Sequence, residues 1–305
     1  MTLSLATTRP LQGRLFRSCA ASPILIVPAR YHTTDIPRKS SWTHSIYTKE
    51  QILAVRPSHR KIKNWQDGVA LGTVRFLRWG MDLVTGYRAT SSDILSIKNI
   101  MTEEKWIRRF IFLESVAGVP GMVAGMLRHL KSIRAFRRDH GWIETLLEEA
   151  YNERMHLLTF LKLAQPGPTM RLMVLGAQWV FFGGFSIAYL ISPQICHRFV
   201  GYLEEEAVIT YTKAISDLDK GLLPAWESLE APAMAVRYWR MPEGQRCMRS
   251  LLMYVRADEA NHANVNHTLG NLNQNTDPNP FSSRLRIDNS ADTRVSSLPE
   301  VKVGK

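Results

Sequence analysis

Between residues 65 and 268 apolar positions recur every three or four residues, and no stretch keeps the strict apolar–polar alternation of a strand. That period predicts amphipathic helices at about 67–86, 103–131, 142–163, 170–191, 194–219 and 245–268. The third is the most sharply bounded. In WIETLLEEAYNERMHLLTFLKL an apolar stripe runs through Leu146, Leu147, Ala150, Met155, Leu158 and Leu161, with Gly141 before it and Pro166 and Pro168 after it. Its Glu, Leu, Ala, Arg and Met content favours helix on propensity as well. Pro120 should kink the helix at 103–131, because its ring removes one backbone donor and crowds the preceding turn. The body of the chain is therefore expected to be all-α.

Length and composition leave that picture in place. At 305 residues, 45% of them hydrophobic, the chain has room for one or two domains and a substantial core. Charge at first points elsewhere: 39 basic against 27 acidic residues give a net +12, a balance that invites nucleic acid. Its placement removes that reading. The first sixty residues hold nine basic side chains against Asp35 and Glu50 alone. The opening stretch is rich in Ser, Thr, Ala, Leu and Arg, with no acid before Asp35, as in a mitochondrial transit peptide. Residues 1–30 are assigned to that leader, with processing near Arg30–Tyr31, and 31–64 to an N-terminal arm. Residues 65–268 form the folded domain, and 269–305, polar and poor in apolar residues, a flexible tail. The body has an ordinary charge and no zinc-finger or RNP-type motif, so no nucleic-acid partner is expected. Cys19, Cys196 and Cys247 are too few for a disulfide scaffold or a four-cysteine metal site.

Two Glu-x-x-His sequences stand on predicted helices: Glu153 with His156 in NERMHL, and Glu259 with His262 in RADEANH. Residues three apart share one helix face, so each pair can aim at one point. Each pair follows a helix that carries a glutamate in apolar surroundings, Glu114 in FIFLESVAG and Glu204 in YLEEEAVITY. A buried carboxylate without a partner is costly, and a metal ion removes the cost. Glu, Glu-x-x-His, Glu, Glu-x-x-His on four helices is the ligand set of ferritin-like di-iron and di-manganese bundles. Carboxylate and imidazole donors suit iron. The expected fold is thus a ferritin-like four-helix di-iron bundle, with Glu114, Glu153, His156, Glu204, Glu259 and His262 as metal residues. Spacing leaves open whether the two histidines ligate directly. Asn152 and Asp258, each just before a motif glutamate, are the candidates to orient the histidines, with Asp258 paired to His156 across the bundle.

These boxes, LES at 113–115, NERMHL at 152–157, LEEEA at 203–207 and RADEANH at 256–262, resemble the signatures of the mitochondrial alternative oxidases, most of all fungal members. GVPGMVAGMLRHL, ISPQICHRFVGYLEEEA and YWRMPEG extend the likeness over about 65–270. The resemblance implies a cyanide-insensitive, non-pumping oxidase of ubiquinol at two iron ions that reduces O2 to water. It further implies a homodimer at the inner mitochondrial membrane, facing the matrix. Tyr211 matches the family tyrosine tied to electron transfer, and Tyr238 and Trp239 a pair in the same network. The quinol pocket carries over to Arg88, Arg109, Leu113, Leu203, Glu206 and Ala207. Ser115 and Asn261 depart from the commonest wording without touching a ligand position. The regulatory cysteine of plant members has no counterpart, since none lies between Cys19 and Cys196. Other readings of the same ligand pattern are a di-iron quinone hydroxylase, a ferritin-like iron store, or a membrane scaffold without chemistry.

The 25 residues from Leu172 to Cys196 contain no charge and no histidine, enough to cross a bilayer. Yet they join the helix of Glu153 to the helix of Glu204, and both must reach one metal site. The stretch is therefore expected to lie on the membrane surface, offering Trp179, Phe181, Phe182 and Phe185 to lipid. Arg128, Lys131, Arg134, Arg137 and Arg138, with no acid between Ser115 and Arg138, form a patch expected to meet anionic headgroups.

Overall fold

A computed structural model of the chain describes residue 44 and residues 46–85 and 101–282. The expected leader 1–30, Arg88 and the end of the tail from 283 lie outside the described residues. Within the described residues the structure is helical: α1 (Lys49–Ala54), α2 (Trp65–Thr85), α3 (Glu103–Ala135), α4 (Trp142–Leu163), α5 (Pro168–Ile191), α6 (Pro193–Asp219), α7 (Pro224–Glu227), α8 (Ala233–Tyr238) and α9 (Met248–Leu269). Six of these sit within a few residues of the periods in the sequence. The short α1, α7 and α8 carry too few turns to show a period. α3 continues past the buried Pro120 as one helix.

Local chemistry sets the ends. Thr102 caps α3 by accepting from the Lys105 N–H. Ser192 ends α5 and caps α6, with Pro193 in the first helical position. Gly141, at φ +84°, turns the chain into α4.

Helices α3, α4, α6 and α9 make the bundle. Two apolar clusters fill it, and each helix contributes to both. One contains Trp106 and Phe110 of α3, Phe160 of α4, Tyr211 of α6 and Leu251 and Leu252 of α9. The other contains Val123 of α3, Leu146 of α4, Phe199 and Tyr202 of α6 and Val265 of α9. The order of these residues along each helix shows that α4 and α6 run one way and α3 and α9 the other. A chain leaving α4 must therefore travel back along the bundle before it can begin α6. α5 makes that journey, 24 residues or about 36 Å at helical rise, packed against α3 and α6.

Close helix approach depends on two glycines. A Cβ on Gly121 would stand 2.7 Å from the Leu146 carbonyl oxygen, and one on Gly201 would stand 2.5 Å from the His267 ring. These positions let α3 reach α4 and α6 reach α9.

Residues 270–282 correct the expected tail. They dock on the start of α4: the Trp142 indole donates to the Asp277 carbonyl at 2.9 Å, and the fully buried Asn279 donates to Thr145 Oγ1 at 2.7 Å. Two apolar residues, Leu272 and Phe281, pack on the core beside these directed hydrogen bonds, and they suffice.

Gly121→Ala tests the α3–α4 contact. The clash with a backbone atom should cost roughly 1–3 kcal/mol, outweighing a helix-propensity gain of about 1 kcal/mol. A lower melting temperature by circular dichroism is expected, by a few degrees; an unchanged or raised one contradicts the close approach.

Candidate metal centre

The six predicted metal residues come together midway along the bundle, between the two apolar clusters. Glu114, Glu153, His156, Glu204, Glu259 and His262 are each 5% exposed or less. They fall into two groups whose donor atoms lie within 4.8 Å of one another: Glu114, Glu153, His156 and Glu259 in one, Glu153, Glu204, Glu259 and His262 in the other. Glu153 and Glu259 belong to both. Two neighbouring cation sites sharing two carboxylates is the arrangement a dinuclear centre requires. His156 Nδ1 is 3.2 Å from Glu114, 3.4 Å from Glu153 and 3.3 Å from Glu259, and His262 Nδ1 is 2.8 Å from Glu153.

The donors fit metal better than they fit one another. Both carboxylate oxygens of Glu153 and Oε2 of Glu259 are buried with no hydrogen-bond partner. The imidazoles beside these atoms offset only part of their lost hydration, and a cation would supply the rest. Burial, with the nearby Glu259 charge, pushes Glu114 and Glu204 well above the usual carboxylate range. Burial opposes charge on His156 too, but Glu153 and Glu259 overcome it and hold the imidazole well above its usual range. Glu153 goes the other way: burial is outweighed by His156 and His262, and its carboxyl stays ionised. Without metal the protein balances these charges with protons; carboxylate–imidazole donors suit iron in their place.

A hydrogen-bond network backs the cluster. His156 Nε2 faces Asp258 Oδ2 at 3.0 Å, an arrangement that turns the Nδ1 lone pair toward the glutamates when Nε2 carries the proton. Asp258 also accepts from Trp239 Nε1 at 2.8 Å and from Asn152 at 3.0 Å, and Asn152 donates to the Tyr238 hydroxyl at 2.9 Å. Trp239 stacks on the His156 ring at 5.7 Å. The other Asp258 oxygen meets His44 and the Tyr47 hydroxyl, both at 2.7 Å. These two come from the N-terminal arm, and nothing in their local sequence announces it. Burial opposes the charge on Asp258, yet His44 and His156 hold it well below the usual range. On the opposite flank the Tyr211 hydroxyl donates to Glu114 Oε1, and its ring stacks on Phe110 at 4.7 Å.

Two cavities approach the cluster, with different walls. One, of about 530 Å³, is almost wholly apolar and lies among α2, α3, α5 and α6. Arg109, Leu113, Leu203, Glu206 and Ala207 line it, and Glu114, Glu204 and Glu259 close its inner end. Arg109 is fixed by Asp82 at 2.7 Å, and Arg78 pairs with Glu206. Arg78 and Asp82 escape sequence reasoning because α2 carries no box, only an amphipathic period. The second cavity, of about 290 Å³, is polar and reaches His262 and Asp258 past Glu149 and Asn152.

Comparison with known proteins agrees with this geometry. The family described as Alternative oxidase matches residues 47–271. The chain belongs to the alternative oxidase family. It is 66% identical over 260 residues to the protein named "Alternative oxidase, mitochondrial" of Aspergillus niger, covering 85% of this chain and 74% of that one. With the like-named protein of Emericella nidulans the figure is 68% over 271 residues, covering 87% and 77%. With that of Ajellomyces capsulatus it is 64% over 249 residues, covering 80% and 70%. Membership makes this alternative oxidase an oxidoreductase, and its relatives support a mitochondrial location. The match spans the arm from residue 47, all four bundle helices and the apolar cavity.

Glu149 offers a test of the polar flank. Burial pushes its carboxyl up to about 7, against the pull of His262 and Asn266. A raised carboxyl stabilises the fold below its ordinary value of 4.5 and loses that contribution as pH rises through about 7. Glu149→Gln should therefore gain stability over the parent between pH 4.5 and 7, on the order of 1–2 kcal/mol after solvent screening. Chemical denaturation at stepped pH measures it; a constant difference across that range contradicts the placement.

Proposed function

We propose that this alternative oxidase oxidises two ubiquinols to ubiquinone and reduces one O2 to two waters, without pumping protons and in the presence of cyanide. The observation that carries the reading is one site with two faces: a paired-ligand cluster sharing Glu153 and Glu259, opening on a long apolar cavity. Two iron ions, held by the four glutamates with His156 and His262, would supply the redox chemistry between quinol and oxygen. The chain does the rest. Apolar walls from α2, α3 and α5 admit a lipid-soluble ring and exclude water. Arg109, Glu206, Leu113, Leu203 and Ala207 bind and orient the quinol head, and Arg109 is held for that purpose by Asp82. Tyr211 keeps a proton on its hydroxyl, since burial and Glu114 push it far above the phenolic range, and holds Glu114 Oε1 by donating a hydrogen bond to it. Asp258, Asn152, Tyr238 and Trp239 orient His156. The polar cavity beside Glu149 gives protons and product water a path apart from quinol.

The same reading places the protein on the matrix face of the inner membrane as an interfacial homodimer, after removal of a leader near residue 30. Apolar exposure supports the interfacial part. Phe76, Trp79 and Leu83 of α2, Ile133 and Phe136 at the end of α3, and Leu172, Trp179, Val180, Ile187 and Leu190 of α5 are all exposed. α3 and α5 are each long and apolar enough to cross a membrane. A crossing would carry α4 and α6 to opposite sides, whereas both supply ligands to one cluster. Two of the aromatics expected to face lipid do not do so alone: Phe185 is buried and Phe181 half-buried against Phe199. Trp179 and Phe182 remain outward. Arg128 leaves the basic patch, because it pairs with Asp139 at 2.8 Å and lies over Trp142 at 4.4 Å. The headgroup contact therefore rests on Lys131, Arg134, Arg137 and Arg138.

Oxygen uptake with a soluble ubiquinol analogue in cyanide is the direct test, and uptake is expected only from iron-loaded protein. Glu153→Ala and Glu259→Ala should each lose bound iron and uptake together; an active variant of either kind contradicts the site. For the membrane, Trp179→Ser with Leu190→Ser should weaken liposome flotation while iron content is retained. Unchanged flotation would remove α5 from the interface.

A further inference from the structure

A third cavity lies away from the centre, where the arm crosses the end of α6 and the start of α9. Its volume is about 600 Å³, and Arg56, Lys220, Arg249 and Arg256 line it together with a single acid, Asp219. Arg249 is already satisfied, pairing with both Asp219 oxygens at 2.6 and 3.0 Å. Three cations are left without an acid among the lining residues. Arg256 is 94% buried, at 6% relative exposure. One of its terminal nitrogens donates to the Ile52 carbonyl at 3.3 Å, while its Nε, buried, has no partner. Thr212 Oγ1, on the same wall, is also buried without a partner. Arg56 turns to the carbonyls of Leu53 and Val55, and both it and Lys220 are exposed.

Guanidinium groups gathered this way repel one another. Burial, then the charges of Arg56 and Arg249, make Arg256 give up its proton more readily than a free arginine. Folding does not gather like charges around a cavity, and bury one of them with an idle donor, without something to offset the cost. An anion with several oxygens does so: it accepts charge-assisted hydrogen bonds from planar guanidiniums and from a hydroxyl at the same time. The phosphate group matches that donor set in charge and in number of acceptors.

We propose that Arg56, Thr212, Lys220 and Arg256 form a binding site for a soluble phosphate-bearing anion, which ties the N-terminal arm to α6 and α9. The site is separate from the metal centre and its cavities. Through the arm it joins the segment that carries His44 and Tyr47 to Asp258.

Pyrophosphate titrated calorimetrically into the purified, iron-loaded full chain at low salt is the test. One saturable equivalent is expected. Arg56→Gln with Lys220→Gln, both at exposed positions, should weaken it by about tenfold or more, and Asp219→Asn should tighten it about threefold by removing the competing acid. Arg137→Gln, in the other basic patch, should leave it unchanged. Absence of saturable binding, or binding undiminished by the Arg56/Lys220 double substitution, overturns the proposal. Vesicles containing phosphatidic acid present the same phosphate chemistry from a lipid. If their binding and not that of pyrophosphate falls in the double variant, the soluble-anion assignment is overturned.

Discussion

Four carboxylates buried in the middle of a helical bundle are the constraint on which the rest depends. In an apolar interior each would carry a desolvation penalty of several kcal/mol. The chain meets this partly with two imidazoles, which lie within 3.5 Å of Glu114, Glu153 and Glu259. It leaves three carboxylate oxygens with no hydrogen bond at all. A polar cluster so arranged is stable only in a rigid frame. The two apolar clusters above and below it supply that frame, and Gly121 and Gly201 let the helices come close enough to hold it.

The supports of the cluster are graded by distance. Asp258 collects five hydrogen-bond partners from three parts of the chain, the arm, α4 and Trp239 just beyond α8, so His156 is held by residues far apart in sequence. Tyr211 holds Glu114 from the other side. Asn152, His156, Trp239, Asp258 and Tyr211 are buried, His44 and Tyr47 half-buried, and each makes a hydrogen bond within the network, which makes it rigid rather than merely polar. The two cavities then divide the approaches by chemistry, apolar on the side of α2 and α5, polar on the side of the arm. An apolar molecule and water therefore meet differently lined approaches.

The crossover α5 has a topological origin. Because α4 and α6 run in the same direction, a connection as long as the bundle is unavoidable. Among the described residues nothing covers its outer face, and only Phe185 and Tyr189 of its residues are buried. An apolar run that reads as a membrane span is thus a bundle connection with a lipid-compatible surface.

The ligand set was legible in the sequence because helix geometry is local. A Glu and a His three apart share a face in any helix, and a glutamate among Phe, Ile and Leu has to be explained wherever it occurs. The helices themselves were legible for the same reason, apart from those too short to show a period. Tertiary structure decided the pairings that depend on which faces meet. His44, Tyr47, Arg78 and Asp82 reach the site from segments without a local signature. Arg128 and Phe185, expected to face lipid, turn inward instead because Asp139, Trp142 and Phe199 are there to receive them. Residues 270–282 gained order from hydrogen bonds to α4 together with the packing of Leu272 and Phe281 on the core. Periodicity and spacing describe one helix at a time, whereas a partner across the fold exists only once the helices have packed.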